Sequence, residues 1–118
     1  MKPGYELNER VAREVAGWVL VKSYSTDIRA AMEMVDILHS RIDPAKILVY
    51  NYLVLICTGR YGDCWVASFD HNHDAEWYEH LEDYPYAARG ETAAHAICLA
   101  MLKVAAAVKA QYEVTRNR

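Results

Sequence analysis

The stretch 70–86, DHNHDAEWYEHLEDYPY, concentrates side chains that could bind a metal ion. It contains His71, His73 and His80 among six carboxylates. Neutral imidazole and carboxylate are both zinc ligands, so a metal-dependent hydrolase is one reading. The spacing is looser than in a His-Glu-x-x-His helix, because only Glu76 and His80 lie four residues apart. We therefore interpret the stretch as a solvated acidic loop and keep the three histidines as weak metal candidates.

No nucleophile is paired with a base at a spacing typical of covalent catalysis. The sequence contains no Gly-x-Ser-x-Gly elbow, and its five glycines are scattered rather than gathered in a phosphate-binding loop. Cys98 falls on the apolar stripe of a predicted helix, where a buried thiol is inert. His95 is interpreted as a core or boundary histidine rather than a base. The sequence predicts a protein that is not an enzyme and needs no cofactor.

Two predicted helix starts combine hydroxyl groups with nearby arginines. Their residues are Tyr24, Ser25, Thr26 and Arg29 at the first start, and Arg89 and Thr92 at the second. Unpaired N–H groups and the helix dipole favour an anion at such a position, and arginine can add bidentate contacts. The alternative is that both starts are plain N-caps, for which Ser25 is a good candidate.

Aromatic residues are frequent in segments predicted to be turns or loops. They are Tyr61, Trp77, Tyr78, Tyr84 and Tyr86. Tyrosine and tryptophan suit a planar ligand or a protein partner, because they combine a stacking face with a polar tip. The alternative is that they fold back as a lid over the core. Tyr84 and Tyr86 complete the predicted ligand site, with no metal in it.

Composition and charge limit the class of protein. The 118 residues predict a single domain over 1–118, and 53% hydrophobic content excludes general disorder. The formal charge of -3 makes a nucleic acid partner a poor expectation. Three cysteines suggest a reducing compartment. The start of the chain has no apolar signal core, and no run approaches about 18 apolar residues, so we expect a cytoplasmic protein that binds no membrane.

The elements that must position these residues can be inferred from apolar periodicity. Helices are predicted at about 6–17, 27–39 and 92–111. A short apolar piece at 18–21 could be a strand, and strands at 47–57 and 64–69 form an antiparallel hairpin around a turn at 60–63. The predicted buried stripe of the second helix is Ile28, Ala31, Met32, Val35 and Leu38. The fold class is a compact α/β/α sandwich with a small, mainly antiparallel sheet.

The order of several short motifs resembles the phage ABA sandwich domain family. The segments GWVLVKSYSTDIRAAMEMVDILH and GETAAHAICLAMLKVA carry these motifs. They are Gly17 with Trp18, residues 24–27 with Ala30 and Ala31, and residues 96–103. The resemblance covers about residues 9–107 and departs from the family pattern in the loop at 71–89. It implies a bacteriophage or prophage origin and an α/β/α sandwich, and it implies no established activity.

Two hypotheses about function come from different classes. The first is a non-catalytic binder of a small phosphate-bearing, nucleotide-like ligand. Joined to the phage resemblance, it becomes sequestration of a host immune signalling nucleotide, in the cytoplasm of the infected host. The alternative is a protein-interaction module that binds a host protein and no small molecule. We also expect self-association, most simply a dimer, because nine tyrosines and three tryptophans are hard to bury in one small core.

Overall fold

The part of the chain that the structure describes contains three helices and a three-stranded sheet. A computed structural model describes residues 1–17, 20–41, 57–69 and 76–116. The helices are α1 (Tyr5–Val11), α2 (Ile28–Ser40) and α3 (Ala93–Arg116), and a π-helical turn, Ala12–Ala16, continues α1. The strands are β1 (Cys57–Tyr61), β2 (Cys64–Ser68) and β3 (Ala87–Gly90), and two 3-10 turns, Trp77–Glu79 and Leu81–Asp83, precede β3.

The predicted α/β fold class is confirmed, and the three helices lie where periodicity placed them. The first helical segment ends at Gly17, which adopts the left-handed conformation with φ of 73°. That conformation is open to glycine at little cost, so the predicted stop is also confirmed. The strand expected at 18–21 is not formed at Leu20 and Val21, and residues 18–19 lie outside the described residues.

The predicted hairpin is present, with boundaries that differ from the prediction. β1 and β2 are antiparallel, with Tyr61 opposite Cys64 and Gly62 and Asp63 in the turn. The predicted second strand, 64–69, matches β2, whereas the predicted first strand, 47–57, overlaps β1 only at Cys57. β1 continues to Tyr61, so the turn is shorter than expected. Residues 47–56 lie outside the described residues.

The third strand lies in a region that we had predicted to be a loop. β3 pairs antiparallel with β2, with Trp65 opposite Gly90 and Ser68 opposite Ala87. Its sequence, Ala-Ala-Arg-Gly, contains no β-branched or aromatic residue, so it lacks the usual strand signal. Pairing with the hairpin and packing on α3 form this strand, and neither can be deduced from four residues.

Side chains alternate between two cores on opposite faces of the sheet. Ala67 and Ala88 face α3 and join the main core, while Val66 and Ala87 face the two 3-10 turns. α1 and α2 pack on α3 rather than directly on the strands. The largest fully buried side chains of the main core are Leu7, Val11, Tyr24, Met34, Phe69, Ile97, Cys98, Met101 and Val104.

The start and the buried face of α2 both differ from the prediction. The N-cap is Asp27, whose carboxylate accepts a hydrogen bond of 2.9 Å from the N–H of Arg29, so the assignment of Ser25 as the cap was wrong. Ile28 and Met32, predicted to be buried, are 48% and 40% exposed. The buried face is instead formed by Ala30, Ala31, Met34, Val35 and Leu38.

Strand β3 approaches helix α3 closely because residue 90 is a glycine. A Cβ atom at Gly90 would lie 2.4 Å from the backbone nitrogen of Ala96 and 2.9 Å from its Cα. Real Cβ atoms do not approach backbone atoms so closely, so any side chain here would push the strand away from the helix. This contact fixes one end of the surface described below.

Helix α3 is the central element of the main core. By length and composition, its window Ala93–Ala110 is apolar enough to cross a membrane. Half of this segment is buried inside the protein. Because the core helices of soluble proteins can be as long and as apolar, its length and composition are only weak evidence for a membrane span.

Candidate functional site

An open groove lies between the outer edge of β3, helix α3 and the N-terminal segment. Its volume is about 470 Å³, which falls within the size range typical of small-molecule sites. The lining residues are Met1, Arg10, Ala88, Arg89, Leu99, Leu102, Lys103 and Ala106. This lining combines the cationic side chains of Arg10 and Lys103 with apolar side chains and contains no aspartate or glutamate. The groove therefore favours an anion that also carries an apolar part.

Lys103 brings a positive charge to the edge of the sheet. Its ammonium group donates a hydrogen bond of 2.6 Å to the carbonyl oxygen of Ala87 in β3. An ammonium group has three N–H donors, so two are left after this contact. The side chain also covers the exposed edge of β3, which limits pairing with a foreign strand. Lys103 is close to the middle of α3, which continues to Arg116.

Arg10 reaches the groove from α1. Its Nε atom lies 3.2 Å from an Oε atom of Glu14, one turn along the same helical segment. That contact uses one of the five N–H donors of the guanidinium and leaves both terminal nitrogens. The side chain is 45% exposed, so the ion pair contributes little stability, and its charge is accessible to a ligand.

Arg89 contributes its backbone to the groove rather than a free guanidinium. The hydrogen bond from the N–H of Phe69 to the carbonyl of Tyr86 sets the register of β2 and β3. In that register the N–H and C=O of Arg89 point away from β2, toward the outer edge. Its guanidinium donates a hydrogen bond of 2.9 Å to the carbonyl of Tyr78, on the sheet face opposite α3. Of the predicted ligand residues, Arg89 is the one that lines this groove.

The predicted residues before α2 are engaged in holding the N-terminal segment. Ser25 is fully buried. Its Oγ accepts a hydrogen bond of 2.8 Å from the N–H of Gly4 and donates one of 2.6 Å to Oδ1 of Asn8. Oδ1 of Asn8 also accepts the N–H of Ser25. Tyr24 is buried in the main core, with its hydroxyl 3.5 Å from the carbonyl of Leu20. These hydrogen bonds hold the N-terminal segment and the segment before α2 in place, so Ser25 and Tyr24 have structural roles.

The two helix starts lie at the same end of the protein. The carbonyl of Met1 is 2.7 Å from His95 in the first turn of α3, and Gly4 contacts Ser25 just before α2. Three residues of chain span at most about 11 Å, so the two starts are near neighbours. Exposed Thr26 and Arg29 lie at the α2 start.

Thr92 caps the start of α3. Its hydroxyl accepts a hydrogen bond of 3.2 Å from the N–H of His95. This is the contact of an N-cap, which was the alternative to a ligand-binding role for Thr92. Neither Thr92, Thr26 nor Arg29 lines the groove.

The two candidate stacking residues lie on opposite faces of the sheet. Tyr84 packs in the small core and meets Trp77 edge to face, with ring centroids 6.3 Å apart. Tyr86 packs against the main core instead. One planar ligand cannot stack on both rings in this arrangement. Trp77 is buried, so it and Tyr84 serve as a lid over the β2–β3 sheet, which was the alternative weighed for the aromatics.

Of the three candidate metal ligands, only His80 belongs to the described residues. Its Nδ1 lies 3.1 Å from a carboxylate oxygen of Asp83, and its ring lies over Tyr84 with centroids 5.7 Å apart. Within residues 1–17, 20–41, 57–69 and 76–116, no three His, Cys, Asp or Glu side chains are grouped to hold a metal ion. His71 and His73 lie outside these ranges, so the expectation of no zinc stays a prediction.

The cysteine and histidine of α3 are not arranged as a nucleophile and its base. Burial raises the pKa of the Cys98 thiol from 9.0 to about 12, which keeps it protonated. Nδ1 of His95 accepts the N–H of Glu91 at 2.9 Å, so Nε2 carries the proton that is donated to the carbonyl of Met1. Both ring nitrogens of His95 are thus engaged away from Cys98.

No protein-family model matches the chain, no curated protein matches its sequence, and no solved structure matches its fold. The resemblance to the phage ABA sandwich family stays a prediction.

Sequence reasoning missed Arg10, Lys103 and the apolar part of the groove. One signal was available: Leu99, Lys103 and Ala106 repeat at helical spacing, so Lys103 interrupts an apolar stripe. Arg10 and Lys103 are far apart in the sequence, so the sequence alone does not show that they line the same groove.

Proposed function

We propose that this protein binds a small phosphate-bearing, nucleotide-like ligand in the groove beside β3 and does not convert it chemically. The observation that supports the proposal most directly is the lining of the groove, where the side chains of Arg10 and Lys103 and the backbone of Arg89 meet apolar side chains, and no aspartate or glutamate lines it. A phosphate group carries negative charge and accepts several hydrogen bonds. It therefore complements the N–H donors of Arg10 and Lys103 that remain after their contacts within the protein.

The proposal places the ligand in the groove rather than on the residues first selected. Ser25 and Tyr24 already have partners inside the protein, and Tyr84 and Tyr86 face different sides of the sheet. Arg89 belongs to both versions of the site. The change of position rests on the long-range contacts of α3 with β3 and with α1.

The phage resemblance extends the proposal to a biological role. A small bacteriophage protein that binds a nucleotide tightly, without turnover, would sequester a host immune signal in the cytoplasm of the infected cell. Self-association, most simply as a dimer, is part of the same proposal, and mass measurement by light scattering at tens of micromolar protein tests it.

A second candidate function is a protein-interaction module. The observation that favours it is the exposure of Ile28 and Met32, one helical turn apart on α2, with exposed Leu20 in the segment before that helix. Exposed apolar side chains of this kind occur at interfaces, although scattered ones are common on any surface. A host protein would be the partner.

Thermal unfolding with a panel of nucleotides separates the two functions. The panel contains nucleoside monophosphates, cyclic nucleotides and ADP-ribose. A bound ligand at one hundred times its dissociation constant should stabilise the protein by about 2.7 kcal/mol. If no member of the panel raises the melting temperature, the ligand-binding proposal fails and the interaction module becomes the better explanation.

A further inference from the structure

The groove has two chemically different ends, and contacts between β3 and α3 establish their order. At one end, Gly90 lies against Ala96 in the first turn of α3. At the other end, the carbonyl of Ala87 meets the ammonium group of Lys103. The strand therefore passes α3 in the opposite direction, and the apolar Ala88 lies between the two contacts.

The N-terminal segment marks the apolar end. The carbonyl of Met1 is 2.7 Å from His95, one turn before Leu99 on α3. Met1 and Leu99 both line the groove. This end of the groove therefore offers apolar contact to a ligand.

The cationic end lies around Lys103. α1 packs against α3, and its Arg10 lines the groove together with Lys103 and Ala106. The two terminal nitrogens of Arg10 and two N–H donors of Lys103 have no bond in the described residues. The outward N–H of Arg89 adds a donor along the edge of β3.

Resting on the proposed function, we infer that the ligand is an organic phosphate monoester with an apolar or planar body, bound with its phosphate at Arg10 and Lys103 and its body toward Leu99 and Met1. A monoester presents three acceptor oxygens and a charge of about −1.5 to −2 at neutral pH. It matches two cations and their several donors better than a carboxylate, which has two oxygens.

Calorimetric titration of the parent protein with simple probes tests the inference. The probes are phenyl phosphate, the four nucleoside 5′-monophosphates, inorganic phosphate, phenol and adenosine. We expect phenyl phosphate or at least one monophosphate to bind about tenfold or more tightly than inorganic phosphate, since burying an aromatic body adds apolar contact. Phenol and adenosine should show no binding.

Four variants test the cationic end. Lys103→Met should weaken monoester binding about tenfold or more, because a charge-assisted hydrogen bond is lost. Lys109→Met on the same helix, at an exposed position outside the groove, is its matched control. Arg10→Gln should have an effect similar to that of Lys103→Met, whereas Arg13→Gln should not. Arg13 makes the equivalent exposed ion pair, with Glu9 at 3.3 Å, and does not line the groove.

Each remaining outcome overturns a defined part of the reasoning. Equal affinity for inorganic phosphate and every monoester contradicts the two-ended groove and leaves phosphate binding intact. Binding of phenol or adenosine as tight as that of its monoester contradicts phosphate recognition. If no phosphate-bearing probe binds, the proposed function itself fails. These comparisons use the parent protein, so they do not depend on the folding of a variant.

Discussion

Replacing Gly90 with alanine should separate strand β3 from helix α3 and lower stability. The new Cβ would lie 2.4 Å from the nitrogen of Ala96, whereas ordinary contacts begin near 3.4 Å. The strand and helix must therefore move apart by about 1 Å along a surface formed by two backbones. Overpacking of this kind costs roughly 1–3 kcal/mol, and we expect about 2–3 kcal/mol because no flexible side chain can yield. For a domain of this size, that corresponds to a fall in melting temperature of roughly 8–12 °C.

Thermal unfolding followed by circular dichroism measures the effect of Gly90→Ala, with Gly62→Ala as the matched control. Gly62 lies in the hairpin turn with φ of 63°, and no atom lies within 4 Å of a Cβ built there. Alanine at that position tests left-handed backbone strain alone, which costs about 1–2 kcal/mol. A Gly90→Ala variant that melts within about 2 °C of the parent would refute the close approach of β3 and α3, and with it the shape of the groove.

Other changes test the buried contacts. Ser25→Ala should destabilise the protein by about 1–3 kcal/mol in urea unfolding, because Asn8 and Gly4 lose a buried partner; an unchanged midpoint would contradict their bonds. Asp27→Ala should cost about 1 kcal/mol through the lost N-cap, and no loss would contradict the start assigned to α2. Cys98 should resist iodoacetamide at pH 8 until the protein unfolds, and rapid labelling of the folded protein, located by peptide mass spectrometry, would show that it is accessible. Because burial raises the pKa of Cys98 to about 12, its contribution to stability should be intact below pH 9.0 and decline as pH rises toward 12.

The helices could be predicted because their apolar residues repeat over several turns. In α3, buried residues repeat at spacings of three and four; they are Ala94, Ile97, Cys98, Met101, Val104 and Ala105. A shorter helix defines its buried face less exactly. The buried face predicted for α2 was rotated about the helix axis from the observed one, so Ile28 and Met32 were predicted to be buried although they are exposed. Helical spacing alone allows neighbouring stripes, and contacts with α3 select between them.

Strand β3 and the groove could not be predicted in this way. The Ala-Ala-Arg-Gly sequence has no strand propensity of its own and becomes a strand by pairing with β2. The groove depends on contacts between parts of the chain that are far apart, such as Met1 with His95 and Lys103 with Ala87. Of the residues selected by the helix-start reasoning, Arg89 lines the groove.

The location of the phosphate site can be measured by nuclear magnetic resonance of ¹⁵N-labelled protein during titration with phenyl phosphate. We predict that amide signals of Ala88, Arg89 and Leu102 move with a common dissociation constant, while those of Thr26 and Arg29 do not. Shifts confined to Thr26 and Arg29, or no shift at all, would contradict a phosphate-binding groove beside β3.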